Sequence, residues 1–247
     1  MLARYVGPSE GFYTINTSHM AVNKPRNADD DDLLDRMGNI ERPLSQPTEI
    51  SYFLQRIRLA EICRKFTDRA PLVTSSPNTA SYSDIMDVDV ELNAFINDIP
   101  SFFRLDGDNL VESSQHNSRR ASGIATQRYM LNSLIHTQRC KLHIPYLIRS
   151  SVNPVYASSR KFCIQSACLI IQAELQLEKE SLPFVHIRLK FSGLLYEVFM
   201  ASIVLLLDMC LNKTAEQQEA RRVEVAEAFR ILGNARDQSP TAANFLE

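Results

Sequence analysis

A chain of 247 residues with 45% hydrophobic and 23% charged side chains can bury a core, as one large domain or two small ones. Its formal net charge of -2 supplies no basic field for gripping phosphate backbones, which excludes nucleic-acid binding through bulk charge. The absence of Trp and a count of only 7 Gly argue against an all-β sandwich with its many tight turns.

The opening stretch "MLARYVGPSEGFYTINTSHM" lacks the apolar core of a signal peptide and is too sparsely basic for a transit peptide. Residues 1–46 read as an irregular, poorly ordered segment, with Gly7-Pro8, Pro25, Pro43 and the acidic run Asp29 to Asp32. That run lacks the ligand spacing and the glycine of a calcium loop, so it reads as a solvated linker or the start of a helix.

Residues 47–247 read as one helical domain. Thr48 is placed to cap a first helix with Ile50, Phe53, Leu54, Ile57 and Cys63 on its apolar side. Gln55, Arg56, Glu61 and Arg64 fall on the opposite, solvated side. After a loop over 70–83, Ile85, Val88, Leu92, Phe95, Ile96 and Ile99 form the stripe of a second helix that Pro100 stops. A polar loop over 106–122 leads to a third helix, from near Gly123, carrying Ile124, Leu131, Leu134 and Ile135.

That third helix holds the chain's most metal-like spacing. His136, Cys140 and His143 stand at i, i+4 and i+7, so one helix face could present all three to a zinc ion. Against this, Pro145 ends or kinks the helix beside His143, and no nearby carboxylate offers itself as an orienting partner or general base. Leu142, Ile144, Tyr146 and Leu147 surround His143 with apolar material suited to a hydrogen-bonded core histidine. The structural reading is the expectation, and no metal ligand is assigned.

A fourth helix starts near Ser158, and Pro183 separates it from a long fifth helix over roughly 185–211. The run "LLYEVFMASIVLLLDMCL" is apolar, but Glu197 and Asp208 leave only Val198 to Leu207 uncharged, too short for a membrane span. Phe199, Ile203 and Leu206 step by four and three and are expected in the interior. Thr214 and Gln217 have the spacing of a capping box for the last helix, and Gly233 sits where its C-terminal cap belongs. No stretch alternates cleanly enough for a strand, so the class is all-α, an irregular multi-helix bundle.

Catalytic signatures are missing: there is no G-x-S-x-G elbow, P-loop, G-x-G-x-x-G or H-E-x-x-H. Arg119-Arg120 is too short for a nuclear-import or nucleic-acid patch. The 5 cysteines, Cys63, Cys140, Cys163, Cys168 and Cys210, form no C-x-x-C pair and read as reduced thiols in a cytosolic or nuclear setting. Cys163 and Cys168 would point to different faces of one helix. No residue is therefore assigned a catalytic, cofactor-binding, metal or DNA-binding role, and the chain is read as a non-enzyme without a cofactor.

Four segments in order carry a resemblance: "YTINTSHMAVNKPRNADDDDL", "YFLQRIRLAEICRKFTD", "VDVELNAFINDIPSFFRLD" and "LIHTQRCKLHIPYLIRSSVNPVYASSRKFCIQSACLIIQAE". Their marks are Pro25 to Leu33, Arg58-Leu59-Ala60, the "DIPSFFRLD" helix end, Leu142-His143 with Pro145-Tyr146-Leu147, and Ser159-Arg160 before Cys163 and Ala167. Over roughly residues 13–210 the chain resembles the middle homology region of fungal-specific transcription factors. The resemblance implies an all-helical regulatory module that follows a DNA-binding binuclear zinc cluster and controls activity, in some members by responding to small molecules.

That cluster needs six closely spaced cysteines opening with C-x-x-C, and this sequence has 5 scattered ones. The expectation is therefore a nuclear transcription regulator represented by its regulatory part, without its own specific DNA contact and without a membrane association. Protein partners, such as a related full-length factor or the transcription machinery, and a small-molecule effector are its implied contacts. The alternatives are a helical binder of a small apolar metabolite and the product of a truncated gene model.

Overall fold

The computed structural model of the chain describes residues 21–30, 41–69, 81–106, 118–211 and 215–247. Among these residues all regular structure is helical, as the periodicities require. They fall into two compact units that part between Pro100 and Ser101, inside the span read from sequence as one helical domain. The opening stretch to residue 20, and with it Gly7-Pro8, lies outside the described residues, as do Asp31 and Asp32 of the acidic run.

In the first unit two helices pair, α1 (Ser51–Arg69) and α2 (Tyr82–Asn97). The described residues before α1, 21–30 and 41–50, are tied down by the buried Asn27. The Asn27 amide donates to the carbonyls of Arg42, Pro43 and Gln46 at 3.0–3.2 Å. Its Oδ1 accepts from the hydroxyls of Thr48 at 2.7 Å and Ser51 at 2.9 Å. Thr48 thus stands at the helix entrance, as read, but its hydroxyl serves Asn27 while its N–H donates to Ser51 Oγ.

This polar cradle shifts the buried face of α1. Ser51, Gln55 and Leu59 are buried, while Phe53 is 46% exposed, so the sequence assignment of Phe53 to the interior and Gln55 to solvent is reversed. α2 follows its stripe closely: Ile85, Val88, Leu92, Phe95 and Ile99 are all buried. A capping box opens it, Ser81 accepting from the N–H of Ser83 and donating its own N–H to Asp84. Arg58 of α1 lies over the Phe95 ring and pairs with Asp98, and Lys65 pairs with Glu91.

The second unit is built on α3 (Ser118–Leu147), α4 (Ala157–Lys179), α5 (Ser192–Leu211), α6 (Ala215–Ala235) and a short α7 (Pro240–Leu246). Before α3, the 3-10 turn Ser101–Phe103 docks on it, Asn132 donating to the Phe103 carbonyl and Arg128 to that of Phe102. α3 is five residues longer at its start than the apolar pattern from Gly123 suggests, and Pro145 is accommodated in its last turn. Every side chain from Leu131 to Cys140 is buried, polar and apolar alike.

The main core joins α3 to α7: Cys140, Leu147, Cys163, Ala167, Ile170, Leu195, Val198, Ala201, Val204, Leu205, Ala228, Ile231, Leu232 and Ala242 pack together. Small residues, among them Ala167, Ala201 and Ala228, let helices approach closely at this centre. A smaller cluster of Tyr129, Ala173 and Leu177 lies apart from it, with Leu105, Leu182, Phe184 and Val185 against it.

Three sequence expectations for this unit are corrected. The helix expected over 185–211 begins only at Ser192, because Pro183–His186 and Arg188–Lys190 close into 3-10 turns. On α5, Phe199 and Ile203 are only half-buried and Leu206 is 37% exposed; the inward face runs through Leu195, Val198, Ala201, Val204, Leu205 and Asp208. Gly233 lies inside α6, two residues before its end, and not at a C-terminal cap. Thr214 lies outside the described residues, so its pairing with Gln217 does too. α7 was not anticipated, although Ser239 followed by Pro240 has the form of a helix start.

Candidate functional site

Two of the three metal-like side chains of α3, His143 and Cys140, turn to partners on α4. His143 is wholly buried, its Nδ1 2.9 Å from Ser159 Oγ of α4 and its ring 5.5 Å from that of Phe162. Cys140 donates its thiol to the Cys163 carbonyl at 3.5 Å, and Cys163 returns a longer bond of 3.7 Å to the Cys140 carbonyl. Contact with the Cys163 thiol, together with burial, holds the Cys140 thiol well above its usual range. Such a thiol stays protonated and is neither an activated nucleophile nor a ready ligand.

His136 is buried with no hydrogen-bond partner at Nδ1. Burial, with Arg139 adding to it, drives its imidazole down to about 4, so it is neutral at physiological pH. Among the described residues no three His, Cys, Asp or Glu side chains gather as a metal site would require. Cys163 and Cys168 do face differently: Cys163 is buried and Cys168 half-buried beside Arg221. Burial, with a hydrogen bond to Glu224, pushes the Cys168 thiol up to about 12.

Two ionic clusters dominate the polar interior, and sequence reading found neither. Asp208, buried on the apolar α5, accepts from Arg160 of α4 at 2.7 Å and lies 3.4 Å from Arg221 of α6. One carboxylate thereby ties three helices. The available signal was the lone acid inside an apolar run: a charge buried there requires a cation facing it. α5 is long and apolar enough, by length and composition, to cross a membrane. Its packing within the core and the pairing of Asp208 are those of an interior bundle helix.

The second cluster lies where α4 runs into α5. Arg188, buried in the connection, donates to Glu174 at 2.6 Å and lies 3.2 Å from Glu178. Arg230 of α6 reaches Glu178 at 2.7 Å and also pairs with Glu227. Burial raises the Glu174 carboxyl despite the Arg188 guanidinium, whereas the hydrogen bond from Arg230 lowers that of Glu178. The oppositely shifted carboxylates face arginines and not a cleft.

In the first unit a groove of about 580 Å³ runs between α1 and α2, lined among others by Arg58, Arg64, Lys65, Glu91, Phe95 and Asp98. The Arg58–Asp98 and Lys65–Glu91 ion pairs cross it, so these charged groups join α1 to α2. Arg119 and Arg120 lie in the first turn of α3, and their side chains are outside the described residues.

Fold and site together define a helical module whose polar groups are used to join helices, with no convergent reactive constellation among the described residues. Known proteins similar to it are transcription factors of fungi. The chain is 42% identical over 253 residues to the probable transcription factor lepB of Aspergillus flavus, a match covering 100% of this chain and 44% of that protein. It is 28% identical over 242 residues to the agnestins biosynthesis cluster transcription factor AgnL11 of Paecilomyces divaricatus, covering 98% of this chain and 34% of the relative. With the Zn(2)-C6 fungal-type transcription factor mpsB of Macrophomina phaseolina it shares 31% identity over 162 residues, 65% of this chain and 20% of the relative. The chain thus spans less than half the length of these relatives. No family model matches it, and neither does any solved structure.

Proposed function

We propose that the chain is the regulatory part of a fungal-specific transcription regulator, acting in the nucleus through protein contacts or a small effector and not as an enzyme. The observation that carries this reading is similarity over 100% of the chain, at 42% identity, to a protein named as a transcription factor. The all-helical architecture agrees with the module that the sequence resemblance implies. The 247 residues hold 5 scattered cysteines and a net charge of -2, so this stretch has neither a six-cysteine cluster nor a net positive charge to draw it to a duplex. The α1–α2 groove is crossed by the Arg58–Asp98 and Lys65–Glu91 ion pairs, which does not suit an apolar metabolite.

The test has two arms. Tethered to an unrelated DNA-binding domain beside a reporter, the chain is expected to change reporter output; untethered, it is expected to retard duplex DNA weakly and without sequence preference. An unchanged reporter, together with no nuclear partner in a pull-down, would overturn the regulatory reading. Sequence-specific retardation by the untethered chain would overturn the absence of a DNA contact.

A further inference from the structure

The connection from α4 to α5 is held to the bundle in an unusual way. Between its ends its backbone hydrogen bonds stay local: Val185 N–H to Leu182, Ile187 to Phe184, Lys190 to Ile187 and Phe191 to Arg188. Only at the ends does Glu180 N–H reach Leu177 of α4 and the Phe191 carbonyl accept from Leu194 and Leu195 of α5. Between those ends, what joins it to the helices is side chains. Leu182, Phe184 and Val185 lie half-buried on the small Tyr129, Ala173 and Leu177 cluster, apart from the main core. Arg188 is the polar anchor, reaching Glu174 at 2.6 Å and Glu178 at 3.2 Å while donating back to the Val185 carbonyl at 2.7 Å.

Both ends of this segment are fixed. At the start, the Tyr129 hydroxyl donates to Glu180 at 2.6 Å. Beyond the latch, Leu189 packs into the main core. A short segment with local backbone bonding, fixed ends and a separate apolar floor has the makings of an independent opening unit.

We infer that residues 181–187 form a lid, latched by Arg188 on Glu174 and Glu178, that unfolds locally as a unit, its own Val185 and Ile187 turns coming undone, and uncovers Tyr129, Ala173 and Leu177 while the main core stays closed. The inference goes beyond the regulatory reading and does not depend on it: it concerns how this fold opens, whatever the chain regulates. Opening swings Leu182, Phe184 and Val185 away and gives the molecule a second, more apolar surface state.

Hydrogen exchange on the full chain tests this, together with binding of an apolar fluorescent dye. In Arg188→Gln the amides of Val185 and Ile187 are expected to exchange roughly tenfold faster or more, with increased dye binding, while α4 and α5 amides keep their protection. Because that variant leaves the buried Glu174 carboxyl without its guanidinium partner, the neutral pair Glu174→Gln with Arg188→Gln is measured beside it and is expected to open the lid equally. Unchanged exchange at Val185 and Ile187 in the neutral pair would overturn the latch. Equal acceleration in α4 and α5, or loss of the fold in the neutral pair, would show that Arg188 holds the bundle itself and would overturn the independent lid.

Discussion

His136 shows how a sequence cue for chemistry becomes a cue for stability. Its spacing with Cys140 and His143 suggests ligands, yet it is buried with an unpartnered Nδ1 and its imidazole is driven from 6.5 down to about 4. Between those values the unfolded chain binds a proton that the folded chain refuses. The resulting stability is fully present above pH 6.5 and is lost as pH falls toward 4, by roughly 3 kcal/mol. His136→Gln is expected to flatten this part of the pH–stability curve, as followed by urea unfolding at successive pH values. An unaltered slope would mean that another group titrates there. His143 could be read more fully from sequence, because its apolar neighbours marked a core histidine; its partner Ser159, across the helix pair, could not. Asn27 was legible only as part of a Pro-Asn-acidic lead-in, since its five bonds come from residues 15 to 24 positions away.

Among the helices, α2 was the most legible and α5 the least. α2 carries one apolar stripe beside polar residues, so periodicity alone names its buried face. α5 is apolar nearly all round, which leaves several stripes equally consistent with the sequence. The chosen one, Phe199–Ile203–Leu206, lies about two-fifths of a turn from the face that meets α3, α4 and α6. α1 misled for the opposite reason: its inward face is polar, at Ser51, which donates to Asn27 of the preceding chain, and at Gln55, whose Oε1 accepts from Arg58. The α5 assignment makes a paired prediction. Val204→Asp buries an unpaired charge at a position with 0% exposure and is expected to yield unfolded or insoluble protein. Leu206→Asp, at 37% exposure, is expected to fold with a melting temperature within a few degrees of the parent. Solubility and thermal melting of the two variants check it; equal tolerance of both would place the wrong face inward.

Taken as a whole molecule, the chain was more legible through its ordered succession of segments than through any motif. The structure gives those segments a physical meaning. Arg58 reaches Asp98 within the first unit, and in the second His143 meets Ser159, Arg160 meets Asp208, and Cys140 meets Cys163. The quoted marks include many of the residues that join one helix to the next, so a packing scheme rather than a reactive site is what the resemblance follows. The two units and the lid between α4 and α5 were not legible, since they depend on which long-range contacts form. On the proposed reading, transcription is regulated by the folded helical module as a whole. The measurement that tests it most directly compares reporter output from a tethered wild-type chain with that from the tethered Val204→Asp variant at matched protein levels. A changed output is expected with the wild type, returning to the level of the DNA-binding domain alone in the variant, while Leu206→Asp behaves as wild type. Equal outputs from wild type and Val204→Asp would contradict it, because the effect would then not reside in the fold.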